Sequence, residues 1–130
     1  MIFSLSITEA PYSYQAATTA YHFAKAALGK GHSIYRVFFS NNGVHSGSAL
    51  ACPPQGEINI SEQWLELAKE HNIDLVVCVA AALRRGILDA DEAKRRGKPF
   101  GNVAQGYTIS GLGQLIEAGI VSDRLITFGA

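Results

Sequence analysis

The 130-residue chain has no excess of either charge: Lys and Arg total 11, and Asp and Glu total 11. Nucleic-acid recognition needs a basic patch, so no direct nucleic-acid contact is expected. Only two cysteines occur, Cys52 and Cys78. That is too few for a disulfide scaffold, and no Cys/His spacing resembles a zinc site. The histidines (His22, His32, His45 and His71) are scattered, which fits solvated or core-edge positions better than metal ligation. No apolar run approaches membrane-spanning length, so no membrane partner is expected. Met1-Ile2-Phe3-Ser4 lacks a basic leader and reads as a first strand rather than a signal peptide. A cytoplasmic location is therefore expected, where an isolated thiol stays reduced. The first strand is followed by no Gly-x-Gly-x-x-Gly and no Walker lysine, which argues against a nucleotide site.

What is present is a well-stocked core. Hydrophobic residues make up 48% and charged residues 17%, as in a folded domain and unlike a disordered chain. The length fits one domain over residues 1–130. Ile2 to Ile7 reads as a buried strand. Pro11 breaks the following loop, and Ser13 is an expected N-cap for a helix over Tyr14–Leu28. Ala16, Ala20, Phe23, Ala24, Ala27 and Leu28 share one side of that helix, and Gly29-Lys30-Gly31 ends it. Ile34–Phe39 is a second strand, Ser40-Asn41-Asn42-Gly43 a turn, and Val44–Ala51 a short helix or a loop.

Cys52-Pro53-Pro54 cannot be regular structure, which puts Cys52 in an exposed loop. Asn59 or Ser61 caps a helix running to about Glu70, with Ile60, Trp64, Leu67, Ala68 and His71 on one side. Trp64 reads as a core anchor. Asp89 with Glu92 forms a capping pair for a short charged helix through Arg96. Phe100–Ala104 is read as a fourth strand, Gln105-Gly106-Tyr107-Thr108 as a loop, and Ser110 to Gly119 as a helix ending at Gly119. Gly111 and Gly113 are read as close-packing positions. Arg124–Phe128 is the last strand. The expected fold is a single three-layer α/β domain. Its mainly parallel sheet has four to five strands with helices on both faces, flavodoxin-like in appearance.

The stretch Asp74 to Gly86 carries the chemistry. Leu75, Val76 and Val77 form a buried strand, Cys78 follows, and alanines then lead to Arg84 and Arg85. β-Branched residues give way to helix formers within about three positions, so Cys78 lies at a strand-to-helix junction. Carboxyl ends of parallel strands are where ligands gather, and a helix start favours a thiolate. Cys78 is the candidate functional atom, although a cysteine among valines also fits plain core packing. Backbone N–H groups of Val79 and Ala80 are candidates for anion stabilisation. Arg84 and Arg85 are candidates for the same role or for steering a partner, against the simpler reading of solvated helix charges.

The string Cys78-Val79-Ala80-Ala81-Ala82-Leu83-Arg84-Arg85-Gly86 resembles the DsrE/TusD family of sulfur-relay subunits. Gln105-Gly106-Tyr107-Thr108-Ile109-Ser110-Gly111-Leu112-Gly113 matches as well, as do Phe38-Phe39 with Gly43-Val44 and Tyr12 with Gln15-Ala16. The resemblance implies that Cys78 forms a persulfide and that neither metal nor organic cofactor takes part. It also implies a heterohexamer with two related small subunits, a small persulfide donor protein, and an acceptor with a C-terminal-type cysteine. It covers two pathways, dissimilatory sulfur oxidation and thiolation of a tRNA wobble uridine. The alternatives are a non-catalytic assembly subunit with Cys78 as core, a nucleotide- or flavin-binding module, and a dithiol switch between Cys52 and Cys78.

Overall fold

A computed structural model describes residues 1–130. Five strands pair in the order β4-β3-β2-β1-β5, and every pairing is parallel. They are β1 (Ile2–Ile7), β2 (Ser33–Phe39), β3 (Asp74–Cys78), β4 (Tyr107–Ser110) and β5 (Arg124–Phe128). The helices are α1 (Ala16–Gly29), α2 (Ile60–His71), α3 (Val79–Arg84), α4 (Ala90–Arg95) and α5 (Gly113–Val121), with a 3-10 helix over Asn41–Gly47.

The path β1-β2-β3-β4 steps one way across the sheet, and right-handed crossovers put its helices on one face. The return from β4 to β5 reverses direction, so α5 covers the opposite face. Side-chain alternation confirms the division. Phe39 and Tyr107 meet on the first face, with Trp64 of α2 edge-on to Phe39. Arg36, one step out of phase with Phe39, reaches α5.

Trp64 is fully buried and also meets Tyr21 edge to face, as expected of a core anchor. Small α1 residues (Ala17, Ala20, Ala24) let that helix lie close on β1 and β2. The Tyr107 hydroxyl donates to the Ser61 carbonyl at 2.9 Å, and burial pushes its phenol far above the usual range.

Several expected details differ. Ser13 does not cap α1, which begins two residues later behind Gln15 without a side-chain cap. Of the two expected caps for α2, Asn59 takes the role, accepting from the Glu62 N–H at 3.1 Å. His71 is exposed rather than part of the buried stripe. Phe100–Ala104 does not join the sheet. Its polar groups bond to loops: Asn102 receives the Leu88 N–H and donates to the Gly86 carbonyl, and Ala104 N–H reaches Gly47. Tyr107–Ser110, read as loop and helix start, takes the edge beside β3 instead. Gly119 lies inside α5, which continues to Val121. Gly111 and Gly113 have open space where a side chain would be, so close packing is not their role.

Arg36 fastens α5 to the sheet. Its guanidinium is buried, and it donates to Asp74 at 2.7 Å, to the Gln114 carbonyl at 2.8 Å and to Glu117 at 3.1 Å. Tyr35 donates to the same Glu117 carboxylate. The Tyr35 hydrogen bond first, and then the Arg36 contact, hold Glu117 below its ordinary value. A depressed carboxylate stabilises the fold above its unfolded pKa and loses that contribution as pH falls through the folded one. Thermal melts from pH 7 to pH 3 are expected to show a steep acid loss that is shallower in Glu117→Gln. An identical acid limb in both proteins would remove Glu117 from the account.

The 3-10 helix is seated by glycine. A Cβ at Gly43 would lie 2.3 Å from the Ile7 carbonyl oxygen, and one at Gly47 would strike the Val77 side chain at 2.8 Å. Gly43→Ala is expected to cost about 1–3 kcal/mol through this overpacking. Chemical denaturation measures it, and a change within error of zero would contradict the close approach.

Candidate functional site

All parallel strands end on the same side of the sheet, so the β1–α1 loop, the 3-10 helix, Cys78 and the β4–α5 turn share one rim. Cys78 is the last residue of β3 and the residue immediately before α3. Leu75, Val76 and Val77 are at most 1% exposed, and Cys78 is 7% exposed. Its thiol makes no capping hydrogen bond to the helix start. α3 is only six residues long, so its dipole adds little beyond the local N–H groups.

The side of the sheet on which the thiol lies follows from register. Asp74 and Val76 are in phase with Cys78, and Asp74 stands level with Arg36, which reaches α5. Val77, out of phase, packs towards Gly47 on the other face. Cys78 therefore points to the face that carries α5, away from the 3-10 helix. Its neighbour across the strand pair is Ser110, the last residue of β4. Gly111, Leu112 and Gly113 then turn the chain into α5 over this same face.

The arginines diverge. Arg84 is exposed and makes no hydrogen bond or ion pair. Arg85 is half-buried; it donates to Asn42 Oδ1 at 2.7 Å and to the Ala81 carbonyl at 3.1 Å. Arg85 thus ties α3 to the 3-10 helix and keeps its guanidinium one helical turn back along α3. Asn42 itself has an ordinary backbone, whereas Asn41 beside it has φ +50°.

Cys52 is exposed on the loop before Pro53, as its sequence implied. No disulfide is present, and both thiols are free. No group of three or more His, Cys, Asp or Glu side chains is placed to hold a metal ion.

Tyr12, which the sequence marked only as part of the family resemblance, has a structural role on this rim. Its φ is +72°, a conformation that bulky residues rarely adopt and that costs energy unless its surroundings enforce it. The Tyr12 hydroxyl donates to the Ile58 carbonyl and accepts from the Ile60 N–H, both at 3.0 Å. It joins the β1–α1 loop to the start of α2. Two open grooves meet at Tyr12, one towards Tyr14, Glu57 and Ile58, the other towards Asn42, His45 and Leu50. Neither is lined by Cys78. An aromatic residue directly after Pro11 was the available signal, but sequence carries no direct mark of a positive φ at tyrosine.

Known proteins place this arrangement. The DsrE/DsrF-like family matches residues 1–128. The DsrE protein of Allochromatium vinosum, assigned as a sulfurtransferase, is 54% identical over 129 residues, covering 99% of both chains. The sulfurtransferase TusD homologue of Pseudomonas aeruginosa is 46% identical, covering 99% of this chain and 98% of its own. The sulfurtransferase TusD of Serratia proteamaculans is 45% identical over 97% and 98%. The crystal structure of the YchN protein of E. coli superposes with a TM-score of 0.75 over 98% of this chain and all of the other. At 21% identity that likeness speaks for the fold alone. By the family match and the full-length relatives together, the chain belongs to the DsrE/DsrF-like family.

Proposed function

We propose that this protein is a sulfur-carrying sulfurtransferase subunit that holds sulfane sulfur as a persulfide on Cys78. The observation that carries the reading is a reduced cysteine at the carboxyl end of a central parallel strand, in a chain related over its full length to sulfurtransferases.

The chemistry is thiol exchange at sulfur. The Cys78 thiolate attacks the outer sulfur of a donor protein's persulfide. The donor S–S bond breaks, the donor leaves as a thiolate, and Cys78–S–SH forms. An acceptor thiolate then attacks that outer sulfur, and Cys78 leaves as thiolate. Each step breaks one sulfur–sulfur bond and makes another, so no external oxidant or reductant is consumed. Backbone N–H groups at the start of α3 favour the anionic forms, because the first turn of a helix leaves them without intrahelical partners. Arg85, bound to Asn42 and Ala81, braces α3 against the 3-10 helix, and exposed Arg84 is available to steer an acidic partner. A reducing cytoplasm keeps the thiol available.

The partners of this reading are a small persulfide donor, an acceptor presenting a flexible terminal cysteine, and two related small subunits in a heterohexamer. At 7% exposure Cys78 needs a slender visitor, which suits a tail better than a folded surface. The higher identity with a DsrE than with the TusD chains supports the sulfur-oxidation branch. Restored wobble-uridine thiolation in a TusD-deficient strain would overturn that assignment.

Intact mass spectrometry without reductant, after incubation with a persulfidated donor, is the decisive test. One added sulfur is expected in wild type and Cys52→Ser and none in Cys78→Ser. No added sulfur in wild type, with the sister subunits present, would leave an assembly role with Cys78 as core. For the arginines, sulfur loading from the donor protein is expected to slow in Arg84→Ala, while alkylation of Cys78 by a small neutral reagent is unchanged. Unchanged loading in both Arg84→Ala and Arg85→Ala would take the arginines out of partner steering.

A further inference from the structure

Cys78 ends its strand between two hydroxyls. Ser110 ends β4 level with it, and paired residues of parallel strands share a face of the sheet. On the other flank, β2 runs one extended residue past Phe39, to Ser40 (φ −130°, ψ 172°). Phe39 pairs with Val77, so Ser40 comes next to Cys78 and is in phase with Phe38 and Arg36. All three side chains belong to the face that carries α5. Both serines are half-buried, and neither hydroxyl makes a hydrogen bond within the protein. Ser110 precedes the turn into α5 but does not cap that helix, whose N-cap position is Leu112 with no side-chain bond. Ser40 holds the N-cap position of the 3-10 helix and makes no capping bond either. Ser4, elsewhere on this face, is by contrast paired with Ser122 at 2.6 Å.

The two flanks differ in room. On the Ser40 side the chain is pinned: the Ser40 N–H donates to the Ile7 carbonyl at 3.0 Å, and Gly43 packs on the same carbonyl. On the Ser110 side, β4 is an edge strand, and Gly111 and Gly113 have open space where side chains would be. A sulfur added to Cys78 therefore has space towards Ser110 and little towards Ser40. We propose that Ser110 holds the outer sulfur of the Cys78 persulfide by donating its O–H to it. Neighbouring strands are about 4.8 Å apart, and a new S–S bond extends the cysteine by about 2 Å. The distance left to Ser110 is close to hydrogen-bond length, whereas the bare thiol falls short of it. The assignment rests on the persulfide reading of Cys78.

Ser110 keeps its proton throughout. In loading, the Cys78 thiolate takes the outer sulfur from a donor persulfide, the donor S–S bond breaks, and the donor leaves as a thiolate. The Ser110 hydrogen bond forms with the sulfur that has arrived. In unloading, an acceptor thiolate bonds to that sulfur, the Cys78 S–S bond breaks, and the hydrogen bond is lost as Cys78 leaves as thiolate. A group that interacts with one state alone shifts the equilibrium towards that state. Ser110 thus favours loaded Cys78 over the bare thiol, and it fixes the outer sulfur on the open side, where a visiting thiol can approach.

The test is the equilibrium of sulfur exchange between Cys78 and cysteine persulfide, read by intact mass in a Cys52→Ser background so that one thiol reports. Ser110→Ala is expected to lower the exchange constant about fivefold, the worth of one net hydrogen bond. Ser110→Thr, which keeps the hydroxyl, is expected to hold the parent value, and so is Ser40→Ala on the closed flank. Alkylation of the resting thiol by iodoacetamide is expected to run at one rate in all four proteins, because the bond exists only in the loaded state. An exchange constant unchanged in Ser110→Ala would overturn the assignment, as would a fall in Ser40→Ala in place of Ser110→Ala. A loss in Ser110→Ala matched by an equal change in alkylation would also overturn it, since Ser110 would then act on the bare thiol or on local packing. Failure of the parent protein to load at all would instead overturn the persulfide reading, and this assignment with it. Equal loading of the parent and Ser110→Ala would leave that reading standing and remove Ser110 alone.

Discussion

Parallel pairing of every strand is the constraint on which the rest depends. Parallel neighbours must be joined by crossovers, so every strand delivers its carboxyl end to the same rim. Residues far apart in sequence are gathered there without any contact designed to join them: Tyr12, Asn42, Cys78 and Ser110 all follow or end strands. Ladder register then aims them. With Arg36 opposite Asp74 and Val77 opposite Phe39, Cys78 has no choice but the α5 face. A slip of one residue in β3 would turn the thiol to the other side of the sheet.

The two faces are held by different physics. On one, Trp64, Phe39, Tyr107 and the alanines of α1 exclude water over a broad apolar layer. On the other, a single nine-residue helix does the covering, and a buried guanidinium fixes it in place. Arginine suits this task because its planar fork donates in several directions at once; here it reaches a strand carboxylate, a helix carboxylate and a helix carbonyl. The side chains that α5 does not need for this attachment are left to face outward.

Much of this was legible in the sequence. The apolar runs of β1, β2, β3 and β5, the alanine face of α1 and the Asp89 cap have local signals that tertiary structure did not override. The placement of Cys78 between strand and helix was legible for the same reason, because the change from Val77 to Ala80 is abrupt. β4 was not, since Tyr107–Ser110 is four residues long and hemmed by Gly106 and Gly111, which read as turn signals. Phe100–Ala104 has the composition of a strand, yet Asn102 commits it to the loops at Gly86–Leu88 and Ala49. The face on which the thiol lies was not readable either. It depends on pairing register with β2, which is a property of two segments and of neither alone. The family string supplied the candidate chemistry but not this geometry.

The order of the strands has a kinetic consequence. β1 lies between β2 and β5, and its pairing with β5 joins Phe3 to Arg124. Such distant pairings are slow to close, because loop entropy must be spent before contacts repay it. On a ribosome, β1 to β4 can assemble while the partner of the β1 edge is still unmade. Until then β1 offers a row of bare amides and carbonyls, the kind of edge that recruits strands from other chains. The last strand to be made closes the first one, and until it arrives the nascent protein is most exposed to aggregation along its own starting edge.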